Sequence, residues 1–370
     1  MKKLASVIPV FLIFVVSNIY AQPRFQFPIE KVNLTPQFYF QSWKIRGTTV
    51  SQLFTPIRIL SPINQNIDLL FLSGSAFSNL DDGNDSSLNG LVDSRIRVAI
   101  KLNDYRWLIN LGVNLPSGKN SLNSVETDVN NFLTETILGF PVKRYGRGFD
   151  IDLGSAYAWS ISEKTVIGLG IGYLRRGSYG FQSGDSQKFK PGDEFSMTVQ
   201  LNFEHEDFSI YGNVLTKFYQ RDKIDDRDVF KEGTQFELEG RIVLPLLRNF
   251  GLQFAFKNVV KLDNESFDPQ GVPGQLKVDF VGNSFWLTNH FFYNLSQDFS
   301  IGTLFNLSIF GDSDVQLGNA HIISVGPSFS FKSSEHLILN GSFTYATGKA
   351  ENGTLELQGI SAVAGLSFRH

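Results

Sequence analysis

Asp193 to Glu204 reads DEFSMTVQLNFE. Phe195, Met197, Val199, Leu201 and Phe203 are apolar, and Ser196, Thr198, Gln200, Asn202 and Glu204 between them are polar. Successive side chains of a β-strand point to opposite faces. This stretch therefore predicts a strand with one apolar and one polar face.

The pattern recurs. In Val92 to Leu102, Val92, Ile96, Val98, Ile100 and Leu102 oppose Asp93, Arg95, Arg97 and Lys101. In Tyr105 to Asn114, Tyr105, Trp107, Ile109, Leu111 and Val113 oppose Arg106, Leu108, Asn110, Gly112 and Asn114. In Phe149 to Trp159, Phe149, Ile151, Leu153, Tyr157 and Trp159 oppose Asp150, Asp152, Gly154, Ala156 and Ala158. In Phe236 to Leu244, Phe236, Leu238, Ile242 and Leu244 oppose Glu237, Glu239, Arg241 and Val243. Each segment is ~9–12 residues, the length of a tilted strand that crosses a bilayer. Strands of soluble sandwiches also alternate but are usually shorter. Tyr105, Tyr157, Trp159 and Tyr173 at segment ends suit interfacial aromatic girdles.

Connections alternate in length. Short polar turns are expected at Asn103–Asp104, Ser162–Lys164, His205–Asp207, Arg248–Asn249, Ser296–Asp298 and Ser333–His336. Longer loops lie between them, the longest running from Pro116 to Gly146. Short turns at one rim and long loops at the other mark outer-membrane barrels, with the turns periplasmic and the loops extracellular. The expected fold is all-β: a transmembrane, antiparallel, up-and-down β-barrel of about 14 to 16 strands. Gln37 to Asn79 is less clean. Pro56 and Pro62 interrupt it, and Pro is unwelcome inside a closed sheet, so short or bulged strands are expected there. Gly168, Gly170 and Gly172 share one strand face, which fits either a tight bend or a close-packed lumen. In Ile360 to Phe368 the residues Ile360, Ala362, Ala364, Leu366 and Phe368 point outward.

Composition agrees. The 370 residues carry 33 Lys and Arg against 36 Asp and Glu, a net charge of −3, so no basic excess attracts nucleic acid. Aromatic residues make up 14%, with 35 Phe, 33 Gly and only 2 Met, a mix that favours strands. The absence of Cys removes disulfides, thiolate metal sites, thiol catalysis and a lipid-bearing N-terminal Cys. At the N-terminus, Lys2 and Lys3 precede the apolar run Val7 to Val16, and Ala21 follows. This is the pattern of a cleaved secretory signal, expected over residues 1–21, with residues 22–370 forming a single barrel domain. The apolar run is short for a helical span. Export to the outer membrane of a Gram-negative cell is expected. The expected partners are outer-membrane lipid and lipopolysaccharide, a small-molecule solute, and the barrel-assembly machinery during biogenesis.

The polar face supplies the candidate solute-pathway residues: Asp93, Arg95, Arg97, Lys101, Arg106, Asp150, Asp152, Glu237, Glu239, Arg241 and Lys257, together with Lys217 and Lys261. Such charges either pair to brace a narrow barrel or tune the selectivity of an open one. Asp150 and Asp152, two residues apart on one face, sit at a spacing that would suit paired carboxylates. Two separate charges in a wet lumen is the plainer reading. No His pair has metal-ligand spacing, and Asp81, Asp82 and Asp85 lack the Glu of a calcium loop, so no metal, cofactor or catalytic residue is expected. His290, in a Phe-rich strand, would need a Ser and an orienting group to form a hydrolytic site. In SLNSVETDVNNFLTETILG, Ser121 to Gly139, apolar residues at near-helical spacing predict a short amphipathic helix. It either folds into the lumen or rests on the rim, the plainer of the two.

GVNLPSGKNS, Gly112 to Ser121, comes close to a phosphate-binding loop but has one residue too many between its glycines, and Asn120 follows Lys119. It follows a strand with a lipid-like face, so Pro116 and Gly118 more simply end that strand at the outer rim. Lys119 would then reach headgroup level. Together with SLNGLVDSRIRVAIKL, Ser87 to Leu102, this stretch resembles the outer-membrane barrels named for the meta-pathway of phenol degradation. Gly90, Leu91 and Asp93 match that family's first element. Leu115, Pro116, Gly118 and Lys119 match its second, with Ser117 in place of Thr. The long-chain fatty-acid transporters are a more distant likeness. The resemblance implies a barrel and solute transport, without a particular substrate. The expected function is a passive outer-membrane channel for small organic solutes, hydrophobic or aromatic ones among them. The alternatives are a non-conducting barrel for surface interaction or secretion assembly, and a lipid-acting barrel enzyme.

Overall fold

The computed structural model describes residues 32–83, 85–180, 187–247, 249–267 and 282–369. The expected signal segment lies outside them. Sixteen antiparallel strands form a closed barrel. They are β1 Asn33–Ile45, β2 Thr48–Asn64, β3 Ile67–Asp81, β4 Ser94–Leu102, β5 Trp107–Leu115, β6 Asp150–Ser160, β7 Thr165–Arg175, β8 Glu194–Glu204, β9 Ser209–Tyr219, β10 Gln235–Leu247, β11 Phe250–Lys261, β12 Ser284–Asn294, β13 Phe299–Phe310, β14 Ala320–Ser334, β15 Leu337–Ala350 and β16 Leu355–Arg369. Each pairs with the next, and β16 closes on β1 with Trp43 opposite Gly359 and Asn33 opposite Arg369. Closure leaves no unpaired edge, the condition for a sheet to exist in lipid.

The alternation places the faces. On β8, Phe195, Met197, Val199 and Leu201 are exposed outward, while Thr198 and Gln200 are buried inside. Trp107 and Leu111 on β5, Leu153 on β6 and Phe368 on β16 are likewise exposed. Val92 departs from expectation. It precedes β4, and its side chain is buried in the core cluster rather than turned to lipid.

The proline-bearing region is not made of short strands. β2 runs for 17 residues and β3 for 15. Pro56 has no N–H to donate, and the β1–β2 ladder skips Gln37 and Phe38 opposite it. Pro56 also lies against Gly74, whose missing Cβ leaves it room. Pro62 falls at a register shift near the short-turn end of the strand. The glycines of β7 answer to packing, not to a bend. A Cβ on Gly170 would come within 2.7 Å of Thr198, and one on Gly172 within 2.7 Å of Ser196.

The long loops are built structures. Asp85–Leu91 pairs with β3 above the membrane-crossing part. Phe189–Lys190, Arg221–Ile224, Arg227–Lys231 and Glu265–Ser266 form a separate four-stranded sheet from three loops. The loop after β5 carries helix α1, Ser124–Thr134. Asn123 caps it with its side chain on the Glu126 amide, and Glu126 answers on the Asn123 amide. Lys119 does not reach toward headgroups. Its ammonium pairs with Glu126 in the first turn of α1. Gly118 is held where a Cβ would meet the Tyr145 carbonyl at 2.0 Å, so only Gly fits this turn of the phosphate-loop look-alike.

Candidate functional site

The segment after α1 does not rest on the rim, as the plainer reading had it. It crosses the barrel mouth. Val129 and Leu133 of α1, then Ile137, Leu138, Phe140, Val142 and Tyr145, are buried in one apolar cluster with the inner faces of β1–β3 and β13–β16. Sequence periodicity shows that a helix is amphipathic, not which surface its apolar face meets. Here the partner is the barrel's own interior: Tyr39, Trp43, Val50, Phe54, Leu80, Ile322 and Leu357 point in, against the general rule of a polar lumen.

Polar contacts anchor this roof on several sides. Trp43 Nε1 and Gln41 Nε2 both donate to the Leu138 carbonyl, at 2.8 and 2.6 Å. The Gln52 amide pairs with Val142 as a strand would. Its Nε2 donates to the Val142 carbonyl and its Oε1 accepts from the Val142 N–H, both at 2.9 Å. Tyr145 donates to the Leu88 carbonyl at 2.7 Å. Gln316, on the loop between β13 and β14, accepts from the Thr136 N–H at 3.2 Å. Arg144 donates to the Tyr179 hydroxyl at 2.6 Å. Buried backbone groups must find partners, and inward Gln and Trp side chains supply them where the loop has no ladder.

Below the roof lies a cavity of about 1240 Å³. Its lining begins at Thr136–Pro141 and Lys143 and descends to Asn249, Ser296, Lys332 and Arg369 at the short-turn rim. Most of the wall comes from β12–β16 and is largely uncharged, mixing polar residues such as Thr288, Asn306, Ser324, Ser328 and Asn340 with apolar ones such as Leu304, Ile322 and Ile338. The Asn306 amide donates to Ser324 at 2.9 Å. These residues alternate with the lipid-facing apolar ones, so the same period of two marks them. The sequence reading followed charges and passed over hydroxyls and amides. Trp43 and Trp286 add aromatic surface near the roof, with Trp286 edge-on to Phe310.

The expected charged residues divide between two settings. Arg97 and Asp152 pair at 3.0 Å although they stand on β4 and β6. Gly112 on β5 lies directly between them, and its missing Cβ is the space the Asp152 carboxylate fills. Lys101 pairs with Asp68 at 2.9 Å. Asp150 accepts from the Gly177 N–H, so the two aspartates of β6 serve different partners. Asp93 ties the roof's two ends, accepting from Asn114, Gly118 and Arg147. Arg95 stands beside Asn114 across the β4–β5 ladder. None of these lines the main cavity. Glu237 and Lys257 do, with Lys217 and Lys261. Glu237 holds Lys217 at 2.8 Å and Lys257 at 2.5 Å, and Lys257 also meets Glu239 at 3.0 Å. Arg241 lies over the Tyr211 ring on the neighbouring strand. Arg106, expected on the lumenal face, instead sits exposed in the turn before β5, because β5 begins one residue after it.

His290 Nε2 lies 2.8 Å from Ser328 Oγ on the cavity wall. Its Nδ1 is buried with no hydrogen-bond partner among the described residues. A hydrolytic pair needs its imidazole oriented through that second nitrogen, and no carboxylate among the described residues does so. No cluster of three or more His, Asp or Glu capable of holding a metal occurs among the described residues.

No protein-family model matches the chain, and no curated protein matches it in sequence. The fold is similar to that of CdiB from Acinetobacter baumannii, with a TM-score of 0.54 at 11% identity over 92% of this chain and 60% of that one. It also aligns with the CymD monoaromatic hydrocarbon channel, with a TM-score of 0.47 at 11% identity over 94% of this chain and 90% of that one. The outer membrane channel DcaP of Acinetobacter baumannii aligns with a TM-score of 0.45 at 12% identity over 91% and 97%. At these identities the likeness is one of architecture: this chain folds as a closed, 16-stranded, antiparallel β-barrel.

Proposed function

We propose that this barrel is a passive channel for small organic solutes, gated by the roof segment Thr136–Val142. One observation carries the reading. A wide cavity lined by both polar and apolar side chains reaches from the short-turn rim to the underside of a folded loop, rather than ending in a packed core. The charged residues of β4–β6 pair away from this cavity, and those of β9–β11 that line it pair with one another, which leaves the largely uncharged wall of β12–β16 as the solute path.

The test is conductance in planar bilayers and solute uptake into liposomes. Wild type is expected to conduct weakly. Replacing Thr136–Val142 with a Gly-Ser linker of equal length should raise both signals. Barrels that fold yet neither conduct nor take up solute, in either form, would overturn the channel reading and favour a surface-interaction role.

A further inference from the structure

We propose that the roof end of the cavity binds the carboxylate of a small organic anion, with Lys143 as its principal contact. This deepens the transport reading and rests on it, since the anion is the class of solute the channel would take.

Lys143 belongs to the roof, and its side chain lines the cavity. Its charge is poorly answered by the protein. Among the described residues no carboxylate lies within ion-pair distance, and its recorded hydrogen bond is a long one of 3.4 Å to Thr136 Oγ1. Every other cavity lysine near the roof is paired: Lys261 with Glu232, Lys257 with Glu237 and Glu239, and Lys217 with Glu237. Burial draws the Lys143 ammonium down to about 8, and the positive charges of Lys261 and Arg147 push the same way, against a weaker opposing pull from Glu135. A desolvated cation beside other cations is unfavourable unless an anion joins it. A carboxylate from the cavity would complete the site that the protein leaves open.

The same end of the cavity is aromatic. Trp43 is fixed by its bond to Leu138, and Trp286 stands edge-on to Phe310. Both line the cavity with Lys143. A cation that shares the cavity with two indoles fits an amphipathic anion, with its carboxylate on the ammonium and its apolar body against aromatic surface. A fully hydrated inorganic anion would leave the rings uncovered.

Benzoate and benzyl alcohol are the probes, alike in body and differing in charge. Binding is read from the intrinsic tryptophan fluorescence of the purified full-length barrel, and flux from liposomes. Benzoate should bind saturably, and benzyl alcohol about tenfold or more weakly, the worth of one charge-assisted contact. Lys143→Gln should weaken benzoate by a similar factor and leave benzyl alcohol unchanged. Lys143→Arg should keep most of the benzoate affinity. Each variant is checked for folding by its shift on unheated gels. Equal affinity for the two probes, or unchanged benzoate binding by folded Lys143→Gln, overturns the carboxylate site. Uptake of both probes alike would do so while leaving the channel intact. Lys143-dependent benzoate binding without flux would uphold the site and sink the channel.

Discussion

Gln52→Leu should unfasten the roof without unfolding the barrel. Gln52 is completely buried on β2, and its amide makes two hydrogen bonds of 2.9 Å to the N–H and carbonyl of Val142, itself fully buried. Leucine has nearly the same volume, so little packing is lost. The two backbone groups of Val142 are left without partners, and each unsatisfied buried polar group costs about 1–3 kcal/mol. Loss of the bond from Nε2 to Ser78 Oγ matters less, because Ser78 keeps its contact with the Tyr145 hydroxyl. The closed roof should thus lose about 2–6 kcal/mol relative to an open one, while the strand ladders of β2 are untouched. Amide hydrogen exchange measures this. At roughly 1.4 kcal/mol per tenfold, the Val142 amide should exchange about 30-fold to 20,000-fold faster in the variant, with barrel amides such as those of β8 unchanged. Conductance should rise in parallel if the roof is the gate. Unaltered exchange at Val142 in a folded variant would refute the claim that this side chain fastens the roof. Faster exchange throughout the barrel would show that the roof and wall unfold together, contrary to the separation argued here.

Two further outcomes test the wall. Val199→Arg, at the centre of β8 on the lipid face, should cost about 2–4 kcal/mol in reversible folding into lipid vesicles, whereas lumenal Gln200→Arg should be mild; equal costs would refute the facing assignment. Gly112→Ala places a Cβ about where the Asp152 carboxylate sits, 2.1 Å from its nearest oxygen, so it should separate Asp152 from Arg97 and destabilise the barrel by about 1–3 kcal/mol. A neutral result in the same folding assay would mean that the pair re-forms around the new methyl.

The wall of this protein is legible in its sequence because the period of two is local. Each residue of DEFSMTVQLNFE declares its own face, and lipid on one side and water on the other select residues independently along the strand. The closing segment Ile360–Phe368 follows from the same rule, and so does the inward strand face that carries Glu237, Lys257, Arg97 and Asp152; strand length does not, since the 17 residues of β2 and the 15 of β14 and β16 outrun the alternating segments. The glycines and prolines of β2, β3 and β7 were ambiguous. Their meaning lies in the residue across the ladder, such as Gly74 beside Pro56 or Thr198 beside Gly170. The charged list gave no hint of which ions pair, since Arg97 and Asp152 meet across an intervening strand. Most of all, the roof is a tertiary fact. The apolar residues from Val129 to Val142 announce a surface to be buried, but rim, lipid and lumen are all available partners for such a surface. The choice is made by inward Tyr39, Trp43, Gln52 and Phe54, far away in sequence, which give the loop both apolar contact and partners for its backbone. That choice sets the extent of the cavity and leaves Lys143 facing it with no carboxylate within ion-pair distance among the described residues.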